Sequence, residues 1–312
     1  MNLELANSEP FYRFHKFRED FDRNIKVAFG ALENLKLAAK AVDEEGKQVE
    51  YTVIPAGEEP WGEGMKFKDI SPVASQAGRF LAQMGLVRVT SAFEDFLINV
   101  GAEHDRYSNL VNGHGVVPLE VGDDENEGGL FSKLCERLKY DTHPVAYLLP
   151  LIKYFVTARN CVVHRSARAS LALVEQAKSG ELSDCLKNWP HSGGKPLPAL
   201  PEFGFNDELP LLPRHSVLAA DVCYHAANYL NTKLVESIGA KGIVYMAAHH
   251  GLLKDDRLPT NAFKSPDRVV NGVLGGRYRI REVSSLETIQ ILKSLGKWDA
   301  CFQSFEKPYP AK

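Results

Sequence analysis

Paired cysteines, long apolar runs and a surplus of positive charge are all missing from this chain. Its five cysteines stand at 135, 161, 185, 223 and 301, and no two form a CxxC pair. That spacing argues against a zinc site and, being odd in number, against a disulfide framework, so a reducing compartment is expected. No segment reaches the roughly 18 uncharged apolar residues of a membrane span, and the opening MNLELANSEPFYRFHKFRED is charged rather than apolar. The expectation is a cytoplasmic protein without a membrane contact. With a net charge of -3 and a pI near 6.4, the chain has no global pull toward nucleic acid. Any binding of a polyanion has to come from a local patch.

What is present is helical periodicity. The chain has 312 residues, 44% of them hydrophobic, which is enough for a substantial core. From Glu9 to Val42, Phe11, Phe14, Phe17, Phe21, Ile25 and Leu32 recur at spacings of three and four, the mark of a long amphipathic helix. Ser71-Pro72 opens a second helix that the pattern carries to about Val100. It is apolar around most of its circumference and carries Glu94 on its main stripe. A carboxylate there needs a cationic or hydrogen-bonding partner, unless it lies at a solvated rim. Further helices are expected over 130–140, 151–168, 170–186 and 216–238. A short strand is expected over Gln48 to Ile54, and loops over 55–64, 101–129 and 188–215.

The tail reads differently. His249-His250 are too close in sequence to form the i, i+4 ligand pair of a metalloprotease helix, and no metal site is expected anywhere. RVVNGVLGGRYRIREV, 268–283, mixes alternation with Gly275-Gly276 and predicts a hairpin whose Arg277, Arg279 and Arg281 share one strand face. That face could grip phosphates or simply be exposed. The expected organisation is an N-terminal extension over 1–70, a helical domain over 71–240, and a small α+β extension over 241–312.

The stretch LIKYFVTARNCVVHRSAR, 151–168, carries the chemistry. Leu151, Phe155, Ala158 and Val162 form its apolar stripe, and Lys153, Asn160 and His164 fall nearly opposite. Arg165 and Arg168 follow. Cleaving RNA without a metal needs a proton donor or acceptor near the 2′-hydroxyl, a cation for the scissile phosphate and polar groups that orient both. Arg159, Asn160 and His164 are residues of those types within about one and a half turns.

Arg159-Asn160-Cys161-Val162-Val163-His164 resembles the signature of the HEPN superfamily (higher eukaryotes and prokaryotes nucleotide-binding), an Arg followed by a polar residue and, four to six residues on, a His. Ser91-Ala92-Phe93-Glu94-Asp95-Phe96-Leu97 is similar to the early acid-bearing helix of such domains. The resemblance covers about 71–238. It implies a helical bundle of four or more helices, here with a loop insertion. It also implies catalytic Arg159 and His164, an assisting Asn160, and a Glu94 that orients Arg159. The implied reaction is cofactor-free endonucleolytic cleavage of RNA to a 2′,3′-cyclic phosphate, in a composite site shared by a homodimer.

A toxin or phage-defence role, held in check by an antitoxin or other regulatory partner, is an expectation of the same resemblance. Lys153, Arg165, Arg168 and the three tail arginines are the candidate RNA contacts. Two other readings stay open at this point: a domain that holds RNA or a nucleotide without cutting it, and a helical protein-interaction module.

Overall fold

The computed structural model describes residues 1–44, 51–53, 65–67, 70–113, 129–187, 189, 197, 199–255, 257 and 259–307. The acidic run Asp123 to Glu127 and the loop at 55–64 lie outside the described residues. The fold is mainly α. Its helices are α1 (Glu9–Glu44), α2 (Ile70–Asn112), α3 (Gly129–Leu138), α4 (Leu149–His164), α5 (Leu171–Ala177), α6 (Gly180–Lys187), α7 (Pro213–Ala248), α8 (Pro266–Gly276), α9 (Ser285–Ser294) and α10 (Trp298–Glu306). Two three-residue strands, β1 (Tyr51–Val53) and β2 (Met65–Phe67), pair antiparallel between α1 and α2.

Proline and glycine set several of these limits. His143-Pro144 opens a 3₁₀ turn over His143–Leu148, and Pro150 sits at the second position of α4, where its missing N–H costs nothing. α7 is interrupted at Gly239, whose φ of 60° and ψ of -171° only glycine adopts without strain. A π turn over His249–Leu253 follows α7.

The α+β extension expected at the C-terminus is absent among the described residues, where 241–307 contains only helices and turns. The expected hairpin over 268–283 is α8 and the loop behind it. The physical reason is visible in the burial: Val269, Val270, Val273 and Leu274 are all buried, the spacing of one helix face rather than of alternate strand positions. Pro266 starts the helix, and Gly275-Gly276 ends it instead of making a hairpin turn. Arg277, Arg279 and Arg281 consequently occupy a loop, with Arg279 at φ 58°, and share no strand face.

The chain separates into two compact units, each assembled from distant stretches. The first comprises Met1–Phe17, Ser91–Leu149 and Val222–Lys312; the second comprises Arg18–Thr90 and Pro150–Asp221. In the first, Phe14 lies 5.9 Å from Phe93 and 5.5 Å from Phe96, and Phe93 lies 6.3 Å from Phe131, ring centre to ring centre. These aromatic contacts join α1, α2 and α3. In the second, Leu151, Tyr154, Phe155 and Ala158 of α4 are completely or almost completely buried, as are Ala82 and Leu86 of α2. The Ser216 hydroxyl donates to the Ala82 carbonyl at 2.6 Å, and Gly85 lets that approach happen, since a Cβ there would meet Ser216 at 3.1 Å.

Candidate functional site

α4 forms where the apolar stripe predicts it, and its buried face fixes where its polar residues point. Leu151, Phe155 and Ala158 anchor the helix, leaving Lys153 and Arg159 half-buried and Asn160 and His164 exposed. Arg159 Nη1 donates to Asn160 Oδ1 at 2.9 Å, so the two motif neighbours hold each other's orientation. His164 is the last residue of the helix. Behind it, Ser166 at φ 50° and Ala167 at φ 61° reverse the chain, with Ala167 N donating back to Cys161 O at 3.0 Å. Six-residue closure of this kind satisfies the last carbonyls of a helix.

The reversal places the remaining cations. Arg168 forms an antiparallel bridge with Glu208 and donates from Nη1 to Asn206 O at 3.1 Å. Arg165 Nε reaches Arg168 O at 3.4 Å. His164, Arg165 and Arg168 thus gather, exposed, at the carbonyl end of α4, where the helix dipole also favours positive charge. Because α4 is regular from Leu149 to His164, Arg159 and His164 project about 140° apart. One copy of the helix does not aim both at one point.

The other predicted residues, Glu94, Arg277, Arg279 and Arg281, belong to the first unit. Glu94 is half-buried on α2, in the first unit, where its charge pushes up the thiol pKa of buried Cys223, already raised mainly by burial. Arg277, also in the first unit, donates from Nη1 to Glu9 Oε1 at 2.7 Å and stacks over Tyr12. Arg279 and Arg281 are exposed.

Two cavities accompany these groups. One, of about 500 Å³ in the second unit, is lined largely by apolar parts of Ile25, Phe29, Val217 and Leu218, with an Arg18–Asp221 ion pair of 2.8 Å at its wall. None of the α4 motif residues lines it. The second, about 80 Å³ in the first unit, is lined mostly by charged and polar residues, and sequence reasoning missed it. It lies among the start of α1, the middle of α2 and the π turn after α7.

Local structure explains how the polar groups reach that cavity. Asn231 clamps the chain ahead of α1, accepting from Ser8 N at 2.7 Å and donating to Ala6 O at 3.0 Å. Glu9 is thereby held inward, 2% exposed, with Arg13 at 3.0 Å and Arg277 at 2.7 Å on the same oxygen. Glu103, equally buried, faces His250 with Oε1 2.7 Å from Nε2. Burial, and next the negative Glu9, push the Glu103 pKa up to about 8. Burial pulls His250 down to about 4. The pair is therefore uncharged near neutrality, with the Glu103 carboxyl donating to a neutral imidazole. The only signals in the chain were Glu103 and Arg106 one turn apart and the His249-His250 doublet. The first was obscured because α2 runs to Asn112 rather than ending near Val100, and the second because it was weighed only as a metal-ligand pair.

Among the described residues, no group of three or more His, Cys, Asp or Glu side chains is placed to hold a metal ion. No described helix is long and apolar enough to cross a membrane. No family model, curated protein or solved structure matches the chain.

Proposed function

We propose that this chain is a metal-independent endoribonuclease working through Arg159, Asn160 and His164. What carries the reading is the single helix α4, which holds the Arg159–Asn160 pair at 2.9 Å and leaves His164 exposed to a polyanion. In this reading His164 moves the proton of the 2′-hydroxyl or the leaving 5′-oxygen, and Arg159 neutralises the scissile phosphate. Asn160 fixes the guanidinium plane. Lys153, Arg165 and Arg168 bind the flanking backbone, a local patch on a chain whose overall charge is negative. The product is a 2′,3′-cyclic phosphate.

The 140° divergence of Arg159 from His164 along a straight helix supports a composite site, in which α4 of a second copy supplies the missing group. The same divergence favours one other reading, a domain that holds RNA without cutting it. A toxin or defence role with a restraining partner follows only from the cleaving form.

Expression of wild type and His164→Ala in a bacterial host separates the two. Cleavage predicts new RNA fragments ending in cyclic phosphate from wild type alone, persisting in lysates treated with EDTA. RNA retained by both proteins with no fragments from either would leave the binding reading.

A further inference from the structure

The smaller cavity, that of the first unit, carries an inference that does not depend on the α4 motif. Three buried polar atoms there have no hydrogen-bond partner: Glu9 Oε2, Glu103 Oε2 and His250 Nδ1. Glu9, Glu103 and His250 line the cavity. An unsatisfied buried polar atom costs about 1–3 kcal/mol, and a network left half satisfied is worse than an apolar filling. So dense a group of open valences around a cavity of about 80 Å³ therefore calls for an occupant.

The chemistry of the walls narrows that occupant. Arg13, Arg106 and Lys254 also line the cavity, and Arg106 makes no hydrogen bond or ion pair among the described residues. With Glu103 and His250 neutral as a pair, the ionised lining is three cations against Glu9, an excess of positive charge that asks for an anion. The floor asks for something else as well. Glu103 Oε2 and Glu9 Oε2 are acceptors and need a donor, while His250, with Nε2 accepting from Glu103, presents Nδ1–H and needs an acceptor. Bare sulfate offers acceptors alone, and water brings no charge to meet the cations. A tetrahedral oxyanion that still carries a proton meets both demands.

We propose that this cavity is a binding site for a protonated phosphate group, either free hydrogen phosphate or the phosphoryl end of a phosphomonoester. Arg13, Arg106 and Lys254 meet its oxygens from the rim. One of the open oxygens of Glu9 and Glu103 accepts from its hydroxyl, and His250 Nδ1–H donates to an unprotonated oxygen. The π turn, rare in helical proteins and often found at functional sites, is what brings His250 and Lys254 to the same side.

The test uses the full-length protein and isothermal titration calorimetry at constant ionic strength. Inorganic phosphate, methyl phosphate and sulfate are titrated into wild type, Arg106→Gln and Glu103→Gln, with folding of both variants checked by circular dichroism. Phosphate is expected to bind at least about tenfold more tightly than sulfate, because a site built around a ligand hydroxyl rejects the analogue lacking it. Arg106→Gln, at the cavity rim, is expected to weaken phosphate about tenfold or more through loss of a charge-assisted bond.

Glu103→Gln narrows the phosphate–sulfate difference, since an amide N–H can serve an oxygen without a proton. Methyl phosphate binding alongside phosphate assigns the site to a phosphomonoester; phosphate binding alone assigns it to the free ion. Equal heats for phosphate and sulfate, no binding of either phosphate species, or unchanged affinity in Arg106→Gln overturns the proposal. RNA cleavage is read separately on the same proteins, so failure here leaves the α4 reading untouched.

Discussion

The two clusters of Arg and His in this protein are satisfied in opposite ways. On α4 and just past its end, Asn160, His164, Arg165 and Arg168 are exposed, and Arg159 is braced by its own neighbour at 2.9 Å. In the first unit, Glu9 and Glu103 are each 2% exposed, tied to Arg277 and His250 at 2.7 Å, and still leave an oxygen unpartnered. Water completes the hydrogen bonding of an exposed group, so the α4 cluster is cheap to keep and gives stability little. A buried group must be completed by protein or ligand, so the second cluster couples folding, protonation and binding. Similar side chains thus serve an open surface in one place and a sealed one in the other.

That contrast predicts which substitutions matter for activity and which for folding. The largest expected effect is on the open surface: His164→Ala should lower cyclic-phosphate-forming cleavage by about 10²- to 10⁴-fold, measured on purified protein with EDTA present, and leave the thermal midpoint nearly unchanged. A wild-type rate in that variant would remove His164 from the reaction.

Next comes the buried cluster. Arg277→Ala strips one of the two cations from Glu9 and should cost about 3 kcal/mol in urea unfolding, the low end for breaking a buried pair, because Arg13 remains at 3.0 Å. The matching change on the surface, Arg168→Ala, should cost less than about 1 kcal/mol. Equal losses from the two would erase the distinction.

Protonation sharpens the comparison further. Glu103 has a folded pKa raised from 4.5 to about 8, so the stability it contributes is present below pH 4.5 and is lost as pH rises toward 8. His250 is shifted from 6.5 to about 4, so its contribution runs the other way and is lost as pH falls through that range. The two oppose each other between pH 4.5 and 6.5. Only the Glu103 loss remains from pH 6.5 to 8, with a slope on the order of 1 kcal/mol per pH unit. Urea midpoints should fall over that window in wild type and stay level in Glu103→Gln. A level profile in both would mean that Glu103 is ionised in the folded protein.

The smallest effect belongs to a single phosphate contact: Arg165→Ala should weaken RNA binding modestly and lower the slope of log affinity against log salt by about 1. A salt slope equal to that of wild type would place Arg165 outside the RNA path.

Much of this molecule was legible from residue order, and for local reasons. Phe11, Phe14 and Phe21 mark the buried face of α1, and Leu151, Phe155 and Ala158 that of α4, because a helix buries one stripe every 3.6 residues and the chain spells that stripe out. The 159–164 motif was legible for the same reason, since its members share one helix. α8 was not, because V-V-x-x-V-L satisfies a helix face while the glycines and arginines around it imitate a hairpin. The length of α2 was hidden by a polar stretch that the structure keeps helical to Asn112, and with it the burial of Glu103.

What residue order determined, then, is the helical character of the chain and the contents of each helix, because periodicity and capping act over a few residues. What only the tertiary structure decided is which polar groups leave water together. Glu9 meets Arg277 across 268 positions, and Glu103 meets His250 across 147. No local pattern encodes those meetings. They follow from how α1, α2 and the segments after α7 and α8 pack within the first unit, and low dielectric then changes the chemistry of every group they enclose.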